Sequence, residues 1–106
     1  MSAHPRSLTE YKSIVKNQTA VVYASARWCI PCRKVAPVFE DLASKAPSSV
    51  AFLKVDVDDD EDIATFERIE AMPTFLFYRS GFLINTVKGA DPTALLNAYN
   101  ALVALE

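Results

Sequence analysis

Two short apolar runs, Ala20–Ser25 and Val50–Val57, flank one amphipathic segment, and this arrangement constrains the fold more than any other feature of the chain. Between them, residues 33–44 place Val35, Val38, Phe39 and Leu42 on one face at helical spacing. The first run, short, apolar and rich in valine, suits a strand buried on both faces, and the second, though it carries Lys54 and Asp56, is the other strong strand. Two such strands joined through a helix pair in parallel, because the connection has to cross over the sheet. Pro37 lies inside the helical segment, which predicts a kink there.

The rest of the chain extends this unit. Ser7-Leu8-Thr9-Glu10 has the form of a capping box, in which the Ser7 hydroxyl and the Glu10 carboxylate each satisfy a free N–H of the first turn. Leu8, Tyr11, Ile14 and Val15 follow at helical spacing and predict a helix over 7–16. Asp58 to Asp60 are placed to cap a short helix carrying Ile63, Phe66 and Ile69. Residues 74–78 read as an aromatic strand, Arg79-Ser80-Gly81 as a tight turn, and 82–88 as the returning strand. Gly89 ends that strand. Asp91 as N-cap and Pro92 at the first helical position open a last helix, which buries Leu95, Leu96, Tyr99, Leu102 and Val103. Residues 1–6 show no strand pattern. The expectation is an α/β fold: a mixed sheet of four to five strands flanked by about four helices. With 106 residues, 51% of them hydrophobic, and neither repeat nor linker, one domain over 1–106 is expected.

Composition narrows the function classes. A net charge of −2 provides no basic excess for phosphates, so nucleic acid is not an expected partner. No apolar run approaches the roughly 20 residues a membrane span needs. The residues before Ser7 contain no apolar signal-peptide core, so a cytoplasmic location is expected. A tetrahedral zinc site takes four ligands, and the cysteines are only Cys29 and Cys32, with His4 the one histidine; no metal is expected. The carboxylates from Asp56 to Asp62 lack the glycine and distal glutamate of an EF-hand loop, and read as a solvated helix start. His4 reads as a solvated tail residue.

The chemistry concentrates in Cys29-Ile30-Pro31-Cys32. Lone cysteines at this spacing point to a redox or metal pair more than to a structural bridge, since so short a ring removes little chain entropy. The position after a strand and before a helix puts Cys29 at a helix N-terminus, where free N–H groups and the helix dipole favour the thiolate, the attacking species. Arg27 and Arg33 add positive charge. Cys29 would attack a disulfide, and Cys32, less exposed, would displace the resulting mixed disulfide. Pro31 stiffens the ring and has no N–H to compete for the sulfurs.

With Trp28 preceding this motif, Ala36-Pro37 in the following helix, Lys54-Val55-Asp56-Val57-Asp58 in the second strand, Met72-Pro73-Thr74 downstream and Val87-Lys88-Gly89-Ala90 near the end, the chain resembles the thioredoxin family from about Ser7 onward. The resemblance implies a cis bond at Pro73 against the sulfurs, and a shallow apolar groove framed by Trp28, Ile30, Met72 and Ala90, with Pro31, Thr74 and Gly89 alongside. Met72 would offer backbone groups to an extended client strand. The resemblance further implies a monomer without bound cofactor, electrons from an NADPH-dependent thioredoxin reductase, and clients such as peroxiredoxins and ribonucleotide reductase. An oxidase or isomerase of the same chemistry, and a non-enzymatic docking module, are the alternatives.

The chain also departs from the family pattern. Tyr23 stands where the family usually has a buried aspartate, the presumed acceptor of the Cys32 proton, while Lys54, its usual partner, is retained. Tyr23 and Lys54 are therefore the candidates for a proton relay. For each there is a plainer reading: Tyr23 as a core filler whose hydroxyl finds a partner, Lys54 as a side chain reaching outward or toward Asp56 or Asp58. Ile30 replaces a glycine between the cysteines, and Ser25 stands where an aromatic residue is common.

Overall fold

The computed structural model describes residues 2–106. Its elements are β1 (Ser2–Ala3), α1 (Leu8–Asn17), β2 (Thr19–Ser25), α2 (Cys32–Lys45), β3 (Val50–Asp56), α3 (Glu61–Phe66), β4 (Thr74–Arg79), β5 (Phe82–Lys88) and α4 (Pro92–Val103). The strands form one mixed sheet in the order β1-β3-β2-β4-β5. β1, β3 and β2 run parallel, and β4 and β5 are antiparallel to their neighbours. All seven residues of β2 are buried, because helices cover both faces of this central strand.

Alternation along the strands sorts the core into two layers. Val21, Tyr23, Phe52, Phe75 and Phe77 meet Val35 and Phe39 of α2 and Leu95, Tyr99 and Leu102 of α4 on one face. Ala20, Val22, Leu53, Val55, Leu76 and Tyr78 meet Tyr11 and Val15 of α1 and Ile63 of α3 on the other. The parallel pairing sets Ser25 beside Asp56, so the carboxyl ends of β2 and β3 lie side by side and present their following loops to each other.

The fold agrees with the expected class, and the differences are local. The sheet has five strands: Ser2 and Ala3 pair with Phe52 and Leu53, an edge too short to leave a sequence pattern. Ser7 caps α1 as expected, accepting the Glu10 N–H at 3.1 Å, but the Glu10 carboxylate takes the Arg6 N–H, one residue before the cap. α3 stops at Phe66, with Arg68 in the left-handed region at φ 57°, so Ile69 falls outside the helix. Asp60 stands at its N-cap without capping, its carboxylate accepting the Asp56 N–H instead. Phe66 and Leu96 are exposed rather than buried; the Lys12 ammonium sits 4.5 Å above the Phe66 ring. α2 runs continuously past Pro37. Ser80 and Gly81, at φ 50° and 88°, make the two-residue turn whose twist suits a hairpin. Asp91 caps α4 through the Ala94 N–H at 3.1 Å, with Pro92 following.

Candidate active site

Cys29 lies in the turn that carries β2 into α2, and Cys32 is the first residue of the helix. The two are joined by a disulfide, with Cα atoms 5.4 Å apart. Their sulfurs belong to the core cluster that also holds Tyr23, Val35 and Phe39. The Cys32 backbone N–H donates to the Cys29 Sγ at 3.2 Å, which brings the first helical N–H and the positive end of the α2 dipole to this sulfur. Cys29 is therefore the sulfur whose negative charge the fold stabilises. Cys32 was expected to be the less exposed; in the disulfide form both are buried alike, at 4% and 5%.

Two loops hold the turn from either side. In the acidic loop after β3, the Asp58 carboxylate accepts the Trp28 indole N–H at 2.9 Å and Asp59 pairs with Arg27 at 2.9 Å. Asp56 organises that loop by accepting the N–H groups of Asp58 and Asp59 on its Oδ1. Asp60 accepts the Asp56 N–H and also pairs with His4 Nε2 at 2.8 Å, so His4 is a partnered residue and not a free tail. Reading these carboxylates as a solvated helix start missed the role of Asp58 and Asp59. The available signal was the parallel pairing itself, which makes the β2 and β3 loops neighbours.

On the other side the Met72–Pro73 bond is cis and Pro73 is buried. The Pro73 carbonyl accepts the Gly89 N–H at 3.0 Å, and Gly89 has φ 103°, a conformation open to glycine. Met72 and Ala90 pack, half-buried, against the cluster containing the sulfurs. The family resemblance implies a place for Thr74 alongside the groove, but the residue is buried, and its hydroxyl donates to the Ala71 carbonyl at 2.6 Å; it braces the Pro73 loop from within. Trp28 and Ile30 stand out of the surface at 61% and 60% exposure, while Pro31 stands at the N-cap position beside them. The buried sulfurs thus lie beside two exposed apolar side chains, Trp28 and Ile30.

Beside the disulfide lies an open cavity of about 180 Å³, lined by Tyr23, Ser25, Cys29, Cys32, Lys54 and Asp56 among others. Tyr23 is stacked on Phe75 and donates its hydroxyl to the Cys32 carbonyl at 3.3 Å. Burial pushes its phenol above the ordinary tyrosine value, so Tyr23 is a neutral donor and takes no proton from a thiol. Lys54, paired in register with Tyr23, is exposed and joins no ion pair among the described residues.

A buried cysteine pair at a helix N-terminus, beside a buried cis-proline and at the carboxyl end of a central strand, defines a protein disulfide oxidoreductase that works by dithiol–disulfide exchange. The thioredoxin family model matches residues 3–101. Putative thioredoxin-5 of Dictyostelium discoideum is 41% identical over 106 aligned residues, covering 97% of this chain and all of that protein. The solved thioredoxin of Malassezia sympodialis superposes with a TM-score of 0.87 at 38% identity, over 95% of this chain and 90% of that one. A chain from structural work on thiol resolution in a yeast mitochondrial 1-Cys peroxiredoxin, via glutathione and thioredoxin systems, gives 0.87 at 36% identity, with 95% of each chain covered. This chain belongs to the thioredoxin family.

Proposed function

We propose that this chain runs the exchange in the reducing direction on client proteins, with Cys29 as nucleophile and Cys32 as resolving thiol. Cys29 attacks a client disulfide and holds one half as a mixed disulfide. Cys32 displaces it, so the client leaves as a dithiol and the pair is left as the disulfide. The observation that carries this assignment is the helix N–H delivered to the Cys29 Sγ at 3.2 Å, which favours charge on that sulfur. Trp28, Ile30, Met72 and Ala90 form the client-facing surface with Pro31 and Gly89. The backbone of Met72, beside Pro73, takes part in no backbone hydrogen bond among the described residues and suits an extended client segment in the manner of an added strand.

In this reading the chain acts as a cytoplasmic monomer with no bound cofactor, and an NADPH-dependent thioredoxin reductase restores the dithiol. Family membership supports the reductase, and the similarity to a chain studied with a peroxiredoxin supports peroxiredoxins among the clients. The test is insulin reduction driven by NADPH and thioredoxin reductase. Wild type turns over and Cys29→Ser does not; turnover equal to that control would leave only a docking module. A Cys32→Ser variant retains clients as mixed disulfides, and their identification names the pathway. A reduction potential at or above the glutathione poise would mark an oxidase instead.

A further inference from the structure

Resolution of the mixed disulfide requires the Cys32 thiol to lose a proton inside a buried site, and the residue nearest to its backbone that carries a hydroxyl cannot take it. Tyr23 is neutral and its hydroxyl is bonded to the Cys32 carbonyl. Arg27, Arg33 and Lys54, which also line the cavity beside the sulfurs, are cationic donors and not acceptors. The cavity nevertheless has one carboxylate in its lining among the described residues, that of Asp56.

The position of Asp56 is fixed. It is the last residue of β3, beside Ser25 in the parallel register, and so stands next to the strand that leads into the cysteine turn. Its Oδ1 is held by the N–H groups of Asp58 and Asp59, at 2.9 and 3.1 Å. Its Oδ2 takes part in no hydrogen bond or ion pair among the described residues, and Asp56 is only half-buried. A cavity of about 180 Å³ has room for several waters at about 30 Å³ each, and its walls supply the polar partners they need. We propose that Asp56 accepts the Cys32 thiol proton, through water held in this cavity, in the step that releases the client.

The assignment rests on the dithiol-exchange reading. In the mixed disulfide, Cys29 Sγ is bonded to a client sulfur and Cys32 carries its proton. The proton passes through water to the Asp56 carboxylate. The Cys32 thiolate attacks Cys29 Sγ, the Cys29–client bond breaks, and its electron pair leaves with the client sulfur as thiolate, which takes a proton from solvent or from Asp56. Two electrons reach the client in the whole cycle and the pair ends oxidised. When the pair is reduced again, Cys32 regains its proton from solvent. The charges around Asp56 are Lys54 on its own strand, Arg33 on α2 and Arg27 in the cysteine turn, all cationic, with Asp58 and Asp59 in its loop. Asp60, on its backbone N–H, is itself paired with His4.

The experiment mixes reduced protein, in excess, with an aromatic disulfide whose two thiolate halves absorb visible light. The first release reports attack by Cys29 and the second reports resolution by Cys32. Asp56→Asn keeps an oxygen for the Asp58 and Asp59 N–H groups, so the loop is retained. The variant is expected to keep the first phase and to slow the second about tenfold or more at neutral pH. Its second phase should climb about tenfold per pH unit, since hydroxide must now remove the proton, and meet the wild-type rate in alkali. Adding Tyr23→Asp to Asp56→Asn puts a carboxylate back on the cavity wall from β2 and is expected to restore the neutral rate. A second phase unchanged in Asp56→Asn, or slowed by one factor at every pH, overturns the assignment. A wild-type protein with no first phase overturns the exchange reading beneath it, and the assignment with it.

Discussion

Tyr23 illustrates how one side chain can fill a site without doing its chemistry. Its ring lies between Phe39 and Phe75, with centroids 5.0 and 4.9 Å away, and it is among the largest fully buried side chains. The hydroxyl reaches the Cys32 carbonyl, not a sulfur. Tyr23→Phe is therefore expected to cost about 1 kcal/mol, the worth of one ordinary hydrogen bond, in denaturant unfolding. The same variant should leave the rate of the resolving step unchanged in stopped-flow measurement, which a Tyr23 proton relay would not allow. The cysteines were legible as site residues because their identity and spacing carry the chemistry, and Trp28 and Pro73 through the resemblance to the thioredoxin family. Asp58 and Asp59 were not, because their importance comes from partners some 30 residues away, Trp28 and Arg27.

Between elements, polar contacts pin the ends of the sheet. The hydroxyls of Tyr11 in α1 and Tyr78 in β4 both donate to the Glu67 carboxylate, just past α3. This ties three elements together on the face of the sheet away from the disulfide. Glu67→Ala strands two buried hydroxyls, and thermal or denaturant unfolding should show a loss of about 2–4 kcal/mol. Burial, reinforced by the bond to Glu67, raises both tyrosines above their ordinary value near 10. In alkali the unfolded chain loses these protons first while the folded chain keeps them. Stability is therefore full below about pH 10 and falls above it, by at most about 1.4 kcal/mol per pH unit for each tyrosine. Unfolding measured at successive alkaline pH values checks the slope, and Tyr11→Phe should flatten it. Thr74→Val tests the second brace: removing the hydroxyl that holds Ala71 is expected to cost about 1 kcal/mol and to slow client reduction, because the Pro73 loop loosens.

For the molecule as a whole, the redox state is also a stability state. The bridge between Cys29 and Cys32 closes a ring of only four residues, so chain entropy gives it about 2 kcal/mol. Oxidised protein should exceed reduced protein by roughly that amount in urea unfolding; equal midpoints would contradict it. The site itself sits in the arrangement that both layers of the sheet create. β2 is covered on both faces, so the turn after it leaves a rigid strand and enters a helix anchored by Val35 and Phe39. Exchange chemistry is thus held on stable elements, while Trp28 and Ile30 remain outside the core.

The sequence by itself determined the order of strands and helices from α1 onward, the parallel unit at the centre, the cysteine chemistry and the likeness to thioredoxins, because these depend on local periodicity and on residues close together in the chain. Only the tertiary structure decided what surrounds the sulfurs. It joined Ser2 and Ala3 to β3, turned Thr74 and Tyr23 inward, ended α3 early at a left-handed Arg68, and brought the acidic loop against the cysteine turn. Those outcomes depend on which distant segments become neighbours, and that is set by how the two faces of the sheet are covered, a property no single stretch of chain contains.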